Sequence, residues 1–155
     1  MRQSFKRRQV VGALAAALGV GLFRMPAALA PEPVHPRVSA AEAKRIRAVV
    51  QGQLEAFEAD DARRAFSYAT PAIREVFGTP ERFIDMVRTG YPAVVRHTSV
   101  VYFTPEWVAD ELVQSVQLTD ERGSVWLATY RMQRQPDKSW RINGCEVVEN
   151  PRSLI

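Results

Sequence analysis

Residues 112–148 read LVQSVQLTDERGSVWLATYRMQRQPDKSWRINGCEVV, and this stretch decides the fold. Apolar and polar residues alternate along it in three runs, at 112–119, 124–134 and 139–148. An alternation with a period of two is typical of strands that bury one face. The segments DERG and QPDK lie between the runs and contain residues that favour tight turns. The stretch therefore predicts three consecutive antiparallel strands.

The sequence before this stretch predicts helices followed by one more strand. A long amphipathic helix is expected over 40–58, because Ser39 and Glu42 have the spacing of a capping box at its start. The apolar residues of this helix recur at helical spacing: Ile46, Val50, Leu54 and Phe57. Residues 98–103, TSVVYF, are mostly β-branched or aromatic and predict the first strand.

Short helices are expected between the long helix and the first strand. Asp60-Asp61 predicts the end of the long helix and the cap of a second helix. The pairs Thr70-Pro71 and Thr79-Pro80 each place a threonine cap before a proline at the first helical position, where a missing N–H costs nothing. Gly90 is interpreted as a left-handed C-cap, and Tyr91-Pro92 predicts an extended path after it.

Helices followed by a run of antiparallel strands predict an α+β fold. In this fold a long N-terminal helix and several short helices pack on a curved antiparallel sheet of about four strands. The predicted domain spans residues 39–150. Residues 31–38, PEPVHPRV, contain three prolines and predict an extended linker before it.

Residues 1–30 have the features of an export signal peptide. Basic residues precede an apolar run through Phe23, and Ala28 and Ala30 give the small-residue pattern of a cleavage site. Arg7-Arg8, followed by QVV, resembles a twin-arginine signal, with an ordinary secretory signal as the alternative. We therefore expect a periplasmic protein. Pro31 would follow the cut and hinder cleavage, so a retained signal that contacts the membrane is a further alternative.

The charge distribution argues against nucleic-acid binding. Five of the 21 basic residues and none of the 17 acidic residues lie in residues 1–30, so 16 basic and 17 acidic residues remain in the rest of the chain. A nearly neutral domain has no electrostatic reason to bind a polyanion. We therefore expect no nucleic-acid partner.

Several other kinds of site are not indicated by the sequence. His35 and His97 are its two histidines, and neither has metal-ligand spacing. There is no glycine-rich nucleotide motif, so no metal and no cofactor are expected. Cys145 is the single cysteine and is interpreted as a small buried apolar residue, with a reactive thiol or an intermolecular disulfide as alternatives.

Particular segments resemble known families. They include IRAVVQGQLEAF at 46–57, ATPAI at 69–73 and WRINGC at 140–145. With them, residues 45–149 resemble a bacterial family called domain of unknown function 4864. The order of one long helix, short helices and a curved sheet resembles the nuclear transport factor 2-like superfamily, in which the sheet wraps around the helices and leaves a pocket. These resemblances imply a fold and no particular activity.

The pocket of that fold is where we expect the functional residues. Gln114 lies on the apolar side of its strand, where a polar group needs a partner. We expect it to project into the pocket with Tyr130 and Trp126, with a backbone bond at the sheet edge as the alternative. Tyr91 and His97 are the other candidate pocket residues, and His97 is a candidate general base.

Three functions are compatible with these observations. The first is a non-catalytic module that binds a small apolar or amphipathic ligand, or a co-exported protein partner. The second is an isomerase or lyase with an acid/base pair in the pocket, as the superfamily resemblance implies, for which Asp60, Asp61 and Asp85 are further candidates. The third is a structural homodimer joined through the exposed sheet face. A pocket without two suitable titratable groups would count against the second function.

Overall fold

The longest helix follows its local sequence signals closely. The computed structural model describes residues 35–150, so the predicted signal peptide and the first linker residues lie outside the described residues. Helix α1 spans Ala40–Glu58, and the Ser39 side chain accepts a hydrogen bond from the Glu42 backbone N–H at 3.2 Å. The predicted range and cap are therefore confirmed. The apolar stripe of α1 is at most 3% exposed: Ile46, Val50, Leu54 and Phe57.

Four short helices follow α1. They are α2 (Ala62–Ser67), α3 (Pro71–Phe77), α4 (Pro80–Gly90) and α5 (Pro92–Val95). The side chains of Asp61, Thr70 and Thr79 each accept a hydrogen bond from a backbone N–H three residues further on. Each bond satisfies a donor that the first helical turn leaves unpaired, which confirms these three N-caps.

The end of α4 differs from the prediction. Gly90 is the last helical residue and does not have a positive φ, and Tyr91 follows with φ −137° and ψ 57°. Pro92 then begins α5 instead of an extended segment, because proline is well suited to a first helical position. The interpretation of Gly90 as a left-handed cap and of Tyr91-Pro92 as an extended segment is therefore wrong.

A glycine inside α1 allows a close contact with the chain after α2. Gly52 is buried, and the Tyr68 hydroxyl lies where a Cβ at position 52 would be. Tyr68 is also bonded to the sheet, since its carbonyl oxygen accepts a hydrogen bond from Ile142 N at 2.8 Å. Two residues later, Thr70 N donates to the Ile142 carbonyl at 2.9 Å. The segment between α2 and α3 is therefore bonded to the sheet edge.

The sheet contains five strands: β1 (His97–Tyr102), β2 (Glu106–Val108), β3 (Glu111–Asp120), β4 (Val125–Arg134) and β5 (Trp140–Glu149). The strand order is β1-β3-β4-β5, every pair is antiparallel, and the short β2 also pairs with β3. Gly123 has φ 82° in the turn between β3 and β4, as its turn sequence predicts. The α+β fold with about four main strands is therefore confirmed.

Strand β5 has an irregularity beside the helices. Arg131 pairs with Gly144 and Met132 pairs with Ile142, so Asn143 has no opposite residue on β4. An extra residue of this kind is a β-bulge, which bends a strand and changes the direction of nearby side chains. The bulge lies in the wall of the apolar pocket described below.

Candidate functional site

A pocket of about 270 Å³ lies between the helices and the β4–β5 part of the sheet. We call it the main pocket. Its volume is close to the lower limit for ligand pockets, roughly 300–1,000 Å³, and so suits a small molecule. Most of the lining side chains are apolar or aromatic: Phe57, Ala69, Ile73, Phe77, Phe83, Met86, Val87, Tyr91, Val94 and Ile142.

An aromatic cluster forms the helical wall of the main pocket. Phe83 of α4 is at its centre, with ring centroids 5.4 Å from Phe77, 5.4 Å from Phe66 and 6.0 Å from Phe57. The ring of Phe77 meets that of Phe83 edge-on, at 73°. Tilted and edge-to-face arrangements are the favourable ones for aromatic pairs, so this wall is preformed.

Two neutral polar groups of the main pocket are paired across β4 and β5. Tyr130 is opposite Cys145, so both side chains lie on the same face of the sheet. Tyr130 is 1% exposed, and its hydroxyl interacts with the Cys145 thiol but forms no hydrogen bond of regular geometry with any residue in the range 35–150. Burial raises the pKa of the Tyr130 hydroxyl well above its ordinary value. Burial also raises the pKa of the Cys145 thiol to about 12, so both groups keep their protons at neutral pH.

Arg131 is also among the lining residues, but its exposed side chain lies on the opposite face of β4 from Tyr130. Its guanidinium lies against Gly144, where a Cβ at position 144 would be 2.9 Å from Nε. Glycine at position 144 therefore allows the guanidinium to approach the backbone of β5. Arg131 forms no ion pair within the described part of the chain, although its charge acts on the nearby Cys145 thiol.

The amide side chains of the main pocket already bond to the protein. Thr70 Oγ1 donates to Asn143 Oδ1 at 3.0 Å, which uses the amide oxygen of the bulge residue. Gln53 Nε2 donates to the Ala65 carbonyl at 3.1 Å. The first bond connects the start of α3 to the sheet wall, and the second connects α1 to α2, so neither amide side chain is free of the protein.

A model of a protein family, described as Domain of unknown function (DUF4864), matches residues 39–155. The chain belongs to this family. The match confirms the resemblance seen in residues 45–149. A SnoaL-like protein of unknown function from Burkholderia thailandensis has a similar solved structure, with a TM-score of 0.41 and 12% identity over 73% of this chain and 98% of that chain. No curated protein matches the chain.

The DUF4864 domain brings two of the five candidate residues, Tyr91 and Tyr130, to the main pocket. Gln114 does not line it. Gln114 is fully buried opposite Tyr130, and its Nε2 donates to the Phe103 carbonyl at 2.7 Å and to the Ser115 carbonyl at 2.9 Å. The backbone bond that was the alternative for Gln114 is therefore the one formed, because β1 ends beside this part of β3.

Trp126 and His97 are also held outside the main pocket. Trp126 Nε1 donates to Asp120 Oδ2 at 2.9 Å, beside a separate cleft that Arg96 and Arg122 line. His97 is buried between two acceptors, with Nδ1 2.9 Å from the Val94 carbonyl and Nε2 2.9 Å from a Glu58 carboxylate oxygen. His97 therefore joins the ends of α1 and α5 to the start of β1.

The aspartates proposed as acid/base candidates form a helix cap or ion pairs within the helical part of the domain. Asp61 caps α2, while Asp60 and Asp85 both pair with Arg88. Among the described residues, no aspartate, glutamate or histidine lines the main pocket. The protonatable side chains there are the tyrosines and Cys145, and Tyr130 and Cys145 have raised pKa values.

Sequence reasoning missed the roles of Arg131, Asn143 and Gly144 in the main pocket. Cys145 was interpreted as a buried apolar residue, and its protonated thiol agrees with that description, but its place in the pocket wall was not predicted. A glycine within a strand often marks a bulge, so Gly144 could have indicated the irregularity in β5.

Within residues 35–150, no cluster of histidine, cysteine and acidic side chains could hold a metal ion. None of the helices in that range has the length and apolar character needed to span a bilayer.

Proposed function

We propose that this DUF4864 domain is a non-catalytic module that binds a small ligand in the main pocket. The observation that carries the proposal is a pocket of about 270 Å³ with a preformed aromatic wall and a few polar side chains among mostly apolar ones. Apolar walls with a few convergent polar groups are typical of small-molecule sites.

The protonation states favour binding over acid/base catalysis. A general base must lose its proton near the working pH, and the raised pKa values of Tyr130 and Cys145 oppose this. The histidine and aspartate candidates are bonded elsewhere, so none of them is placed to act on a molecule in the main pocket.

Blocking the main pocket tests the proposal. Ile73 is a half-buried residue of α3 that lines the pocket, whereas Val76, on the same helix, is 77% exposed and does not line it. We expect the neutral fluorescent probe N-phenyl-1-naphthylamine to bind the natural protein and the Val76→Trp variant with equal affinity. Ile73→Trp should weaken binding by about tenfold or more, which corresponds to about 1.4 kcal/mol.

The outcome of this comparison is decisive because both variants add the same side chain to the same helix. Equal binding by Ile73→Trp and Val76→Trp, with unchanged melting temperatures, would place the probe outside the main pocket. Absence of binding to the natural protein at any concentration where the probe is soluble would also contradict the proposal.

We further propose that the module acts in the periplasm after export by the twin-arginine route. The support for this step is the sequence of residues 1–30, with its arginine pair, apolar run and small residues at 28 and 30. A reporter that must fold before transport should be exported when fused to residues 1–35. Changing both Arg7 and Arg8 to lysine should abolish that export, and continued export would contradict the route.

A homodimer is the second candidate, and the outer sheet face favours it. Val101, Gln117, Leu127 and Val148 are in register across β1, β3, β4 and β5. Val101 is 50% exposed and Val148 is 47% exposed, on the face opposite the buried residues of these strands. Sedimentation equilibrium should show twice the chain mass if a second copy covers this face, and Val148→Lys should then restore the monomer.

A further inference from the structure

The polar side chains that line the main pocket differ in how far the protein satisfies them. The Tyr130 hydroxyl and the Cys145 thiol interact with each other, and both keep their protons. Tyr91 and Asn143 are half-buried, so solvent can reach their remaining polar atoms. Gln53 is different, because it lines the pocket and is only 3% exposed.

The side-chain hydrogen bond of Gln53 fixes which end of its amide is used. Gln53 Nε2 donates to the Ala65 carbonyl at 3.1 Å. Because a carbonyl oxygen can only accept, the amide nitrogen must be the atom that faces Ala65. The amide oxygen, Oε1, accepts no hydrogen bond from any residue in the range 35–150. A buried acceptor without a partner is costly, so a ligand that donated a hydrogen bond to Oε1 would relieve that cost.

This acceptor lies beside the aromatic wall. Gln53 and Phe57 are four residues apart in α1, so their side chains are neighbours on one face of the helix. Both residues line the main pocket, and the ring centroid of Phe57 is 6.0 Å from that of Phe83. The same part of the pocket therefore offers aromatic rings and a neutral acceptor.

The charge at the main pocket lies away from its apolar interior. Arg131 is the one charged residue among the described residues that line the pocket, and its exposed side chain extends from the opposite face of β4 from Tyr130. Moving an ion from water to an apolar site is costly unless an opposite charge pairs with it. The pocket therefore favours an uncharged molecule.

We propose that the ligand is an uncharged, mainly apolar molecule with a hydroxyl or N–H donor. The donor would bond to Gln53 Oε1, and the apolar part would lie against the rings of Phe57 and Phe83. This inference rests on the proposed function, since it names the class of molecule that the main pocket holds.

A pair of probes with the same shape tests the charge on the natural protein. 4-Ethylbenzamide is neutral and has N–H donors, whereas 4-ethylbenzoate is an anion without a donor. We expect calorimetric titration to show that the amide binds about tenfold or more tightly than the carboxylate. Equal affinities, or a preference for 4-ethylbenzoate, would overturn the inference without the need for any variant.

A second pair of probes and two matched variants test the role of Gln53. 4-Ethylphenol has a hydroxyl where 4-ethyltoluene has a methyl group, and the ratio of their affinities isolates the donor. Gln53→Leu removes the acceptor and should shift this ratio about tenfold toward 4-ethyltoluene. Gln51→Leu is the same change at an exposed position of α1 that does not line the main pocket, so it should leave the ratio unchanged. An unchanged ratio in Gln53→Leu, or an equal shift in both variants, would contradict the assignment to Gln53.

The failure of this inference is distinguishable from failure of the proposed function. If Ile73→Trp weakens binding of N-phenyl-1-naphthylamine but the matched probes show no preference, the main pocket binds ligands and the assigned ligand class is wrong. If neither that probe nor any of the four ethyl compounds binds, both proposals are wrong.

Discussion

The two halves of the sheet use their polar side chains differently. On the β1–β3 half, His97 contacts two acceptors and Asp120 accepts a hydrogen bond from Trp126 of β4, so these groups bond to the protein itself. On the β4–β5 half, the Tyr130 hydroxyl interacts with the Cys145 thiol without a hydrogen bond of regular geometry, and the Arg131 guanidinium forms no ion pair within residues 35–150. The first half therefore uses its polar groups to hold the fold together, whereas the second leaves the Arg131 charge without an ion-pair partner in the described residues.

The largest expected effect separates the closed core from the pocket wall. Leu54 is 1% exposed, and Leu54→Ala should lower the free energy of unfolding by about 3 kcal/mol, because it removes packed atoms and leaves a cavity. Met86 is half-buried and faces the main pocket, so Met86→Ala should cost about 1 kcal/mol. Urea denaturation measures both values. Equal costs would show that the pocket wall is packed as tightly as the core.

The next effect is a loss of stability in alkaline solution from the β4–β5 half. The folded protein keeps the Cys145 proton up to a pKa of about 12, whereas an unfolded thiol loses it at about 8.5. A raised folded pKa means that stability falls as pH rises above the unfolded value, by about 2 kcal/mol at pH 10. Unfolding free energies between pH 7 and 10 should show this decline, and Cys145→Ala should reduce it. Parallel curves for the two proteins would contradict the assignment to Cys145.

A smaller pair of effects should have opposite signs on the two facing strands. Gln114→Met removes two hydrogen bonds from Nε2 and should lower the free energy of unfolding by about 1 kcal/mol. Tyr130→Phe removes a buried hydroxyl whose neighbour is the weakly bonding Cys145 thiol, and it should raise the free energy of unfolding by about 1 kcal/mol. Chemical denaturation of both variants gives the signs. Destabilisation by Tyr130→Phe would mean that the hydroxyl has a stabilising partner.

The smallest effect concerns the acid response of the β1–β3 half. The hydrogen bond from Trp126 lowers the pKa of the Asp120 carboxyl, and backbone N–H groups of Ser124 and Arg122 add to this. A lowered folded pKa gives stability that is present above the ordinary aspartate value, about 4, and is lost as pH falls through the folded pKa. Between neutral pH and about pH 3, the melting temperature of the Asp120→Asn variant should therefore fall less than that of the natural protein. An identical loss would show that Asp120 does not contribute.

Most of the helices and strands could be predicted from sequence because their signals are local. The cap at Ser39 and the apolar stripe of α1 give its limits directly, and the strands have a clear period of two. Strand β2 was missed because three residues are too few for a period, and its conformation depends on pairing with β3. The error at Gly90 arose because a helix can also continue through glycine.

The candidate site was less predictable because it depends on which part of the sheet the short helices leave uncovered. Gln114 and Tyr130 lie on the same face in adjacent strands, and the alternating pattern of the sequence predicts the same surroundings for both. Only the three-dimensional arrangement shows that β1 ends beside Gln114 while a pocket opens beside Tyr130. The bulge at Asn143, which depends on strand register, brings Arg131 against Gly144.

The contact between Gly52 and Tyr68 has a consequence for how this pocket can vary among related sequences. A side chain at position 52 would displace the Tyr68 ring, and Tyr68 is bonded through its carbonyl to Ile142 in the pocket wall. The width of the cavity can therefore be altered from inside α1, at a residue that a ligand never touches.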